Sequence, residues 1–546
     1  MIAAHYHAVL CIMGLLAILS RQQCYATLAP QHFATLRLAR NGKSEVVDKL
    51  ESFSKHLIPT GEHESAIATR KLQEPHSTIT QIGEELNGQG NFQDRFGSSI
   101  AISDDGLFCV VGAIGQMSGT TIEGASQGKG YALAFKRLTI SGSWGPMGQI
   151  LEGRAPGDRF GDEVAMSGDG HTIVIGSRNS DEPTTPTELN DIGLVQVYTY
   201  NESENQWEKL GEDMWGEASL DQSGVCIAAS DDARTIAIGA RYNDNDNGNN
   251  SGHVRVWKFD KTVSPPNWVR KGVDIDGEAK GDQSGRSVAM SDDGSIIAIG
   301  ARLNDGVNGN KSGHVRVYKY NESGNSWDPL GQELDGEAQG DQSGFDLTMS
   351  GEGTIVAIGA RLNDGGGNNA GHVRVYKLDD HLSSPQWARM GSDIDGQNAK
   401  DQSGRNIDMS TDGSTLIVGS LNGDVGTLNN AGITRIYKWD IFELDWIQYG
   451  SDVVGDSRKD NASYDVAMSG DGKTILVGAR LSDGDQNDIH FDSGQASLFQ
   501  IQLQSSLGGG MSFIRFGSMF SNAFISNATS FFPGRSALQH PHWSPF

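Results

Sequence analysis

One segment of about sixty residues recurs seven times along the chain, and this repetition limits the fold more than any other feature. Each copy begins at an aspartate, and successive copies start 64, 63, 61, 59, 60 and 59 residues apart. The seven aspartates are Asp94, Asp158, Asp221, Asp282, Asp341, Asp401 and Asp460. Helical periodicity is absent throughout these copies, so the repeat predicts a ring or a linear stack of β-structure.

The fourth copy shows the predicted strands of one repeat. The segment RSVAMS ends at the turn Asp292–Gly294 and is followed by the apolar, β-branched run SIIAIGA. A loop of Asn, Asp and Gly then leads into the alternating segment HVRVYKY, and NESGN turns the chain into SWDPLGQELDG. Each copy is therefore predicted to form four antiparallel strands.

The two ends of the array distinguish a ring from an open stack. The motif of the fourth strand begins at a tryptophan and occurs only six times, from Trp144–Gly153 to Trp446–Gly455. The seventh copy lacks it, but the matching segment Ile79–Gly88 precedes the first copy. A strand supplied by the N-terminus would complete the last repeat and remove both free sheet edges. We therefore predict an all-β, seven-bladed β-propeller over residues 79–504.

The segments outside the ring predict export. Residues 8–19 form an apolar run of twelve, which is too short to span a bilayer and suits a signal peptide ending near Ala26. A signal anchor is the alternative. Residues 27–78 are interpreted as a polar, partly disordered segment and residues 505–546 as a poorly ordered tail. The expected location is therefore outside the cell or at its surface. Six glycosylation sequons agree with this, at Asn201, Asn249, Asn310, Asn321, Asn461 and Asn527.

Charge and motif content limit the classes of function. The chain has 43 basic and 69 acidic residues, and its net charge of −26 argues against nucleic acid as a partner. It contains no nucleophile elbow, no zinc-protease motif and no phosphate-binding glycine loop. Cys109 and Cys226 stand in apolar strand-like segments and are predicted to be buried and unpaired. These features favour a binding protein over an enzyme.

Two copies carry a recognisable signature. The segments FGSSIAISDDGLFCVVGAIG, from Phe96, and FGDEVAMSGDGHTIVIGS, from Phe160, resemble the FG-GAP repeat of integrin α-subunit propellers. The resemblance implies a propeller that acts in adhesion or binding. In that family some blades bind calcium in a long loop between strands one and two. Here the loop is shortened to Ser-Asp-Asp-Gly or Ser-Gly-Asp-Gly, which offers too few oxygens for calcium, so this site is not expected.

The candidate binding face consists of the long connections between strands two and three and between strands four and one, because alternating strand direction places both on one side of the ring. The candidate residues are Asp221, Gln222, Asp282, Gln283, Asp341, Gln342, Asp401, Gln402, Asp244, Asp305 and Asp364. For the repeated aspartates we favour a structural role, in which each accepts backbone N–H groups. The face as a whole remains the predicted site.

Other recurring side chains are interpreted as structural. Arginines follow strand two at Arg241, Arg302, Arg361 and Arg480, where salt bridges to loop carboxylates are favoured over capture of an anion. His253, His314 and His372 lie in different blades, too far apart to share zinc. The tryptophans Trp268, Trp327, Trp387 and Trp446 are predicted to anchor blade packing.

The calcium hypothesis concerns the loop between strands two and three of the last blade. No cofactor is required by the sequence, but Asp483, Asp485 and Asp488 are the best candidates for weak calcium binding. A second loop, Asn243–Gly248, has a similar alternation of oxygen-bearing side chains. The function favoured by the sequence is a secreted or cell-surface module that binds a protein or glycan. The alternatives are an extracellular polysaccharide hydrolase or lyase, or a structural matrix or wall protein.

Overall fold

The computed structural model describes residues 78–89, 94–115, 128–139, 142–182, 190–381, 383–482 and 492–502. The predicted signal peptide (1–26), the segment before residue 78, the tail (505–546) and the candidate calcium residues Asp483, Asp485 and Asp488 lie outside these ranges. The described residues form no helix, and hence none that could span a membrane.

Seven antiparallel sheets form a ring of blades, which confirms the predicted seven-bladed β-propeller. The first strand of each blade lies innermost and contacts the first strands of both neighbouring blades. These inner strands are β3 (Phe96–Ile102), β8 (Glu163–Met166), β13 (Cys226–Ala229), β18 (Ser287–Met290), β23 (Asp346–Met349), β28 (Ser403–Met409) and β33 (Asp465–Met468). They surround the central channel.

The second and third strands pair in the middle of each blade. The second strands are the apolar β4 (Phe108–Ala113), β9 (Thr172–Ser177), β14 (Thr235–Ala240), β19 (Ile296–Ala301), β24 (Ile355–Ala360), β29 (Thr415–Ser420) and β34 (Thr474–Ala479). The third strands are β5 (Tyr131–Arg137), β10 (Leu194–Asn201), β15 (His253–Asp260), β20 (His314–Asn321), β25 (His372–Asp379), β30 (Ile433–Asp440) and β35 (Gln495–Gln502).

The fourth strand is interrupted, and both of its segments pair with the third strand. In blades one to six these segments are β6 (Trp144–Pro146) and β7 (Leu151–Glu152), β11 (Gln206–Lys209) and β12 (Met214–Trp215), β16 (Asn267–Arg270) and β17 (Ile275–Asp276), β21 (Ser326–Pro329) and β22 (Leu334–Asp335), β26 (Gln386–Arg389) and β27 (Ile394–Asp395), and β31 (Asp445–Gln448) and β32 (Val453–Val454).

The last blade takes its fourth strand from the start of the ring, as predicted. The segments β1 (Thr78–Gln81) and β2 (Leu86–Asn87) pair antiparallel with β35. Ile79 lies opposite Ile501, and Leu86 lies opposite Ala496. The ring is therefore closed by hydrogen bonds between strands from opposite ends of the repeat array.

The hydrophobic core lies between the blades. Seven clusters of buried side chains are present, and each combines residues of two adjacent blades. Cys109 and Cys226 are buried and unpaired within two of them, as predicted. The tryptophans anchor this packing, as the indole of Trp268 illustrates by donating a hydrogen bond of 2.8 Å to the Leu210 carbonyl of the preceding blade. Because each cluster needs two blades, no blade has a complete core of its own.

The tight turn between strands one and two has a fixed hydrogen-bond pattern. In blade four the Asp293 carboxylate accepts hydrogen bonds from the Ser291 hydroxyl, at 2.7 Å, and from the Ser295 amide, at 2.9 Å. Gly294 supplies the positive φ that the turn requires. The Ser-x-Asp-Gly spacing thus encodes the turn, which explains why its acidic residue is structural.

The seven tight turns are also joined to each other by backbone hydrogen bonds. The amide of Asp104 donates to the carbonyl of Gly168, that of Gly168 donates to Asp231, and the pattern continues around the ring. The amide of Asp471 completes the circle by donating to the carbonyl of Asp104 at 3.3 Å. This circle of bonds draws the turns together at one end of the channel.

Three turn carboxylates gather at this end of the channel. Burial, followed by the charges of Asp231 and Asp292, raises the pKa of Asp104 to about 6. Burial and the neighbouring charge of Asp231 also raise the pKa of Asp292. Like charges therefore oppose one another at the turn end of the ring.

The first prediction concerns ring closure. Leu86 is 6 % exposed and packs between the last and first blades, so Leu86→Asp should lower the free energy of unfolding by about 3–5 kcal/mol. The neighbouring Asn87 is exposed, so Asn87→Asp adds the same charge without disturbing the core. Thermal or urea denaturation of the two variants tests this. Equal losses would show that closure by β2 contributes little.

The second prediction concerns the turn carboxylates. Because the pKa of Asp104 is higher in the folded protein than its usual 3.8, stability is lost as the pH rises through about 6. Asp104→Asn should therefore raise Tm at pH 7.5, on the order of 1–3 °C, and the gain should vanish near pH 4. Asp105→Asn is the control, because Asp105 accepts hydrogen bonds from Ser103 and Leu107 and its loss should lower Tm. A Tm for Asp104→Asn below that of the wild type at pH 7.5 would contradict the argument.

Candidate functional site

The long connections meet on one side of the ring, which we call the loop face. The loop that joins strands two and three of a blade forms a parallel backbone bridge to the connection entering the next blade, as between Gly252 and Ser284. The predicted candidate residues lie on these two connections.

The repeated aspartates are buried within the loop face. The Asp282 carboxylate accepts a hydrogen bond from the Ala279 amide and one from the side chain of Asn304, both at 3.0 Å. Asp221, Asp341 and Asp401 make the corresponding bonds to the amide three residues before them, and all four side chains are less than 5 % exposed. These carboxylates hold the connection between blades in place and are not available to a ligand.

The acidic residues of the loops between strands two and three are exposed but are also engaged locally. The Asp244 carboxylate accepts the Asn250 amide at 2.7 Å, Asp305 accepts the Lys311 amide at 2.9 Å, and Asp364 accepts the Asn369 amide at 2.7 Å. Each bond closes its own loop at a residue with positive φ. These residues shape the rim of the face and do not gather into one site.

The glutamines have a different role, because three of them hold arginines. Gln222, Gln283 and Gln342 adopt positive φ, and each side-chain oxygen accepts a hydrogen bond from the arginine that follows strand two. Arg302 donates to Gln283 at 2.9 Å, Arg241 to Gln222 at 3.1 Å and Arg361 to Gln342 at 3.2 Å. In blade six the arginine position holds Leu421, so Gln402 has no such partner.

The prediction that these arginines form salt bridges is therefore wrong. Six arginines from blades three to seven approach one side of the channel mouth on the loop face, and among the described residues none of them has a carboxylate within ion-pair distance. This arginine cluster consists of Arg241, Arg286, Arg302, Arg361, Arg405 and Arg480. The neutral glutamine oxygen positions the guanidinium without cancelling its charge.

Two aromatic rings organise the arginine cluster. Phe345 is 4 % exposed, and the guanidinium carbons of Arg361 and Arg286 lie 4.2 and 4.4 Å from its ring centroid. Those of Arg302 and Arg405 lie at 5.4 and 5.6 Å. Tyr464 provides a second ring, whose centroid lies 3.5 Å from the guanidinium carbon of Arg480 and 4.6 Å from that of Arg405. Cation–π contacts thus hold the guanidinium groups around a common centre.

The positive charges of the arginine cluster repel each other. Burial, followed by neighbouring arginines, lowers the pKa of Arg302 and Arg361 to about 10. Arg286 and Arg361 lie within about 9 Å of each other, a distance at which two unit charges repel by roughly 2 kcal/mol at an effective dielectric constant of ~20. An anion bound between them would relieve this repulsion.

Blade two shows the alternative arrangement. Asp162 lies at the start of its inner strand, and its two oxygens lie 2.7 Å from Arg159 and 2.9 Å from Arg178. Although burial opposes ionisation, these two arginines lower the pKa of Asp162. The scaffold can therefore neutralise arginines at the channel mouth, and on the side of blades four to seven it does not.

Carboxylates line the channel next to the arginine cluster. Asp346 and Asp465 accept the amides of Ile407 and Ile100 from the neighbouring blades, both at 2.8 Å. Burial raises the pKa of Asp346 to about 6 and that of Asp465 to about 7. Burial and then the charge of Asp465 raise the pKa of Glu163. Asp346 and Asp465 join the inner strands to one another, whereas Glu163 makes no such bond.

Each of the three predicted strand-entry histidines contacts acidic residues near its own blade. The groups are Glu217–His253–Asp274, Glu278–His314–Glu333 and Glu337–His372–Asp393, with their ligand atoms within 4.8 Å of one another. The sequence excluded only zinc shared between blades, and it did not predict these three groups. Arginines already engage the glutamates, as Arg255 does with Glu217 at 3.0 Å. Burial, with Arg255 next, lowers the pKa of His253 to about 3, so the groups are ion-pair networks around neutral histidines.

The arginine cluster could not be predicted from the repeat pattern, because one position of the repeat holds different residues in different blades. The residue after the Phe-Gly or Ser-Gly motif, which is Ala462-Ser463 in the last blade, lies near the start of the inner strand at the channel mouth in every blade. Its occupants are Ser98, Asp162, Val225, Arg286, Phe345, Arg405 and Tyr464. Repetition elsewhere suggested a symmetric scaffold, whereas this position breaks the symmetry. Comparing the seven copies at that one position would have revealed it.

The geometry favours binding of anions. Guanidinium groups bind carboxylate, sulfate and phosphate through paired N–H donors. The candidate calcium residues Asp483, Asp485 and Asp488 lie outside the described residues, so weak calcium binding there stays a prediction. In the loop Asn243–Gly248, Asn245 and Asn247 donate hydrogen bonds to the carbonyls of Gly252 and Gly277, so this loop is held by its own side chains.

Comparison with known proteins finds one matching repeat family and solved structures that resemble the chain. Residues 273–318 match the FG-GAP repeat family. No curated protein matches the chain. Solved structures that resemble it include a protein named as a 6-phosphogluconolactonase from Bacteroides uniformis, with 13 % identity and a TM-score of 0.43. A periplasmic gluconolactonase of Pseudomonas aeruginosa has 16 % identity and a TM-score of 0.42. Both alignments cover 66 % of this chain and 86 % of the other. The matched repeat and the ring of seven blades fit an FG-GAP-type β-propeller.

Proposed function

We propose that the protein is a binding module that recognises an acidic protein or glycan through its loop face. The arginine cluster contacts the anionic groups of the ligand. One observation carries this proposal: five guanidinium groups from four blades contact Phe345 or Tyr464, and none of them has a carboxylate within ion-pair distance among the described residues. Arg241, from a fifth blade, lies over Tyr242 beside this group.

The charge distribution supports the same site. The whole chain carries a net charge of −26, so most of its surface repels an acidic ligand. The arginine cluster is a local exception, because Arg302 and Arg361 are held by neutral glutamines and aromatic rings. The nearest acidic charge is that of the channel carboxylates, and Arg286 interacts with Asp346 among them. A local positive potential in a recess attracts anions and orients their approach.

An extracellular location belongs to the same proposal. It is supported by the apolar run at residues 8–19 and by sequons in exposed connections, such as Asn249 and Asn310.

A polysaccharide hydrolase remains the second candidate, and Glu163 is the residue that favours it. Burial raises the pKa of Glu163, which suits a general acid. A glycosidase also needs a second free carboxylate, and the nearby Asp346 and Asp465 are held by backbone amides. If the protein cleaves an acidic polysaccharide and Glu163→Gln abolishes the cleavage, the enzyme reading replaces the binding module.

The third prediction tests the binding site. The double variant Arg302→Gln, Arg361→Gln should bind an acidic glycan about 10–100-fold more weakly, because a charge-assisted hydrogen bond contributes about 1.5–3 kcal/mol. Biolayer interferometry with immobilised heparin, polygalacturonate and poly-glutamate measures this at two salt concentrations. Affinity should fall as salt rises.

The control is Arg389→Gln, which removes the same charge from an exposed outer strand where Arg389 pairs with Asp393. Its affinity should equal that of the wild type. If none of the three ligands binds, or if the double variant binds as tightly as Arg389→Gln, the arginine cluster is not the binding site.

A further inference from the structure

We propose that the arginine cluster selects a tetrahedral oxyanion, the sulfate or phosphate group of an ester, over a carboxylate. This inference rests on the proposed function and narrows it, because acidic ligands of both kinds would satisfy the charge alone. The number of guanidinium groups, the blades from which they reach Phe345 and the neutral groups that hold them favour a tetrahedral anion.

The first step is the uncompensated charge. Arg302 and Arg361 are held by the side-chain oxygens of Gln283 and Gln342, which are neutral acceptors. In blade two, by contrast, Asp162 neutralises two arginines at the equivalent level of the ring. A single carboxylate brings one negative charge into a group of six guanidiniums, whereas sulfate or a phosphate monoester brings more charge or more oxygens to the same point.

The second step is direction. Arg286, Arg302, Arg361 and Arg405 come from three different blades, and all four guanidinium carbons lie within 5.6 Å of the Phe345 centroid. Because they come from three blades, these guanidinium groups reach Phe345 from different positions around the channel mouth. A carboxylate is planar and presents both oxygens in one plane, which suits one guanidinium fork. A tetrahedral group directs its oxygens along several axes and can contact donors that come from several blades.

The third step concerns the N–H donors of the arginine cluster that have no acceptor. The Nε groups of Arg241, Arg286 and Arg480 are buried and have no hydrogen-bond partner. Each guanidinium has five N–H donors in a fixed plane, and buried donors are costly when they are left unpaired. The glutamines and aromatic rings satisfy only part of this set. A ligand with three or four acceptor oxygens accounts for more of these donors than one with two.

The experiment compares anions of similar charge but different shape. Isothermal titration calorimetry with sulfate, phosphate and malonate, at constant ionic strength and pH 7.5, uses the complete protein. Malonate is a dicarboxylate, so its comparison with sulfate isolates geometry from charge. We expect sulfate and phosphate to bind at least tenfold more tightly than malonate.

Variants locate the binding. Arg361→Gln should weaken sulfate binding at least tenfold, and Gln342→Glu should do the same because the new carboxylate pairs with Arg361. Gln402→Glu is the matched control: it places the same charge in the same backbone conformation, but blade six has Leu421 in place of the arginine. It should weaken binding less than threefold. Tm of each variant confirms that it is folded.

The outcomes separate the two proposals. If malonate binds as tightly as sulfate and Arg361→Gln weakens both, the preference for tetrahedral anions is wrong and the anion-binding function stands. If none of the anions binds, and heparin and polygalacturonate also fail to bind, both proposals fail. If Gln402→Glu weakens binding as much as Gln342→Glu, the glutamine–arginine pairs are not the determinant. A sulfated hexasaccharide and a sugar phosphate, titrated in parallel, then show which ester is preferred.

Discussion

Packing between blades is the interaction on which the rest of this structure depends. Every hydrophobic cluster is shared by two neighbouring blades, so each blade needs a neighbour on both sides. A linear array would leave one face of each end blade uncovered. The pairing of β1 and β2 with β35 brings the last and first blades together and completes the seventh cluster. Two further sets of hydrogen bonds join adjacent blades. One is the circle of backbone bonds between the tight turns, and the other is the set of tryptophan bonds such as that of Trp268.

Because several kinds of contact hold the blades together, a few positions are free to vary. The inner strands are held by their own ladders, by neighbouring strands and by side chains such as Asp346 and Asp465. The residue at the channel mouth is not part of the strand ladders' repeated pattern, and it is Ser98 in one blade and Phe345 in another. Function in a repeated fold is therefore expected where the copies differ, and in this ring they differ beside blades four to seven.

Much of the fold was predictable because the signals are local and repeated. The Ser-x-Asp-Gly turn, the apolar second strand and the displaced segment Ile79–Gly88 together specify blades, their number and the closure. The structural role of Asp282 was also suggested by its repetition. The environment of Arg302 was not, because its partners, Gln283 and Phe345, come from separate positions in the sequence. A side chain's neighbours across blades depend on how the ring closes, which periodicity alone does not describe.

The strand that closes the ring also sets a delay in its assembly. About 410 residues separate β1 from its partner β35, and at a synthesis rate of about 5–20 residues per second this distance takes roughly 20–80 s to produce. The entropic cost of closing so long a loop grows only slowly with its length, so time is the larger constraint. During that interval β1 lacks its partner, while third strands of other blades with similar sequences, such as HVRVYKY and HVRVYKL, are already present. The ring can therefore close only after its last strand has emerged, and β1 must stay free of the earlier third strands until then.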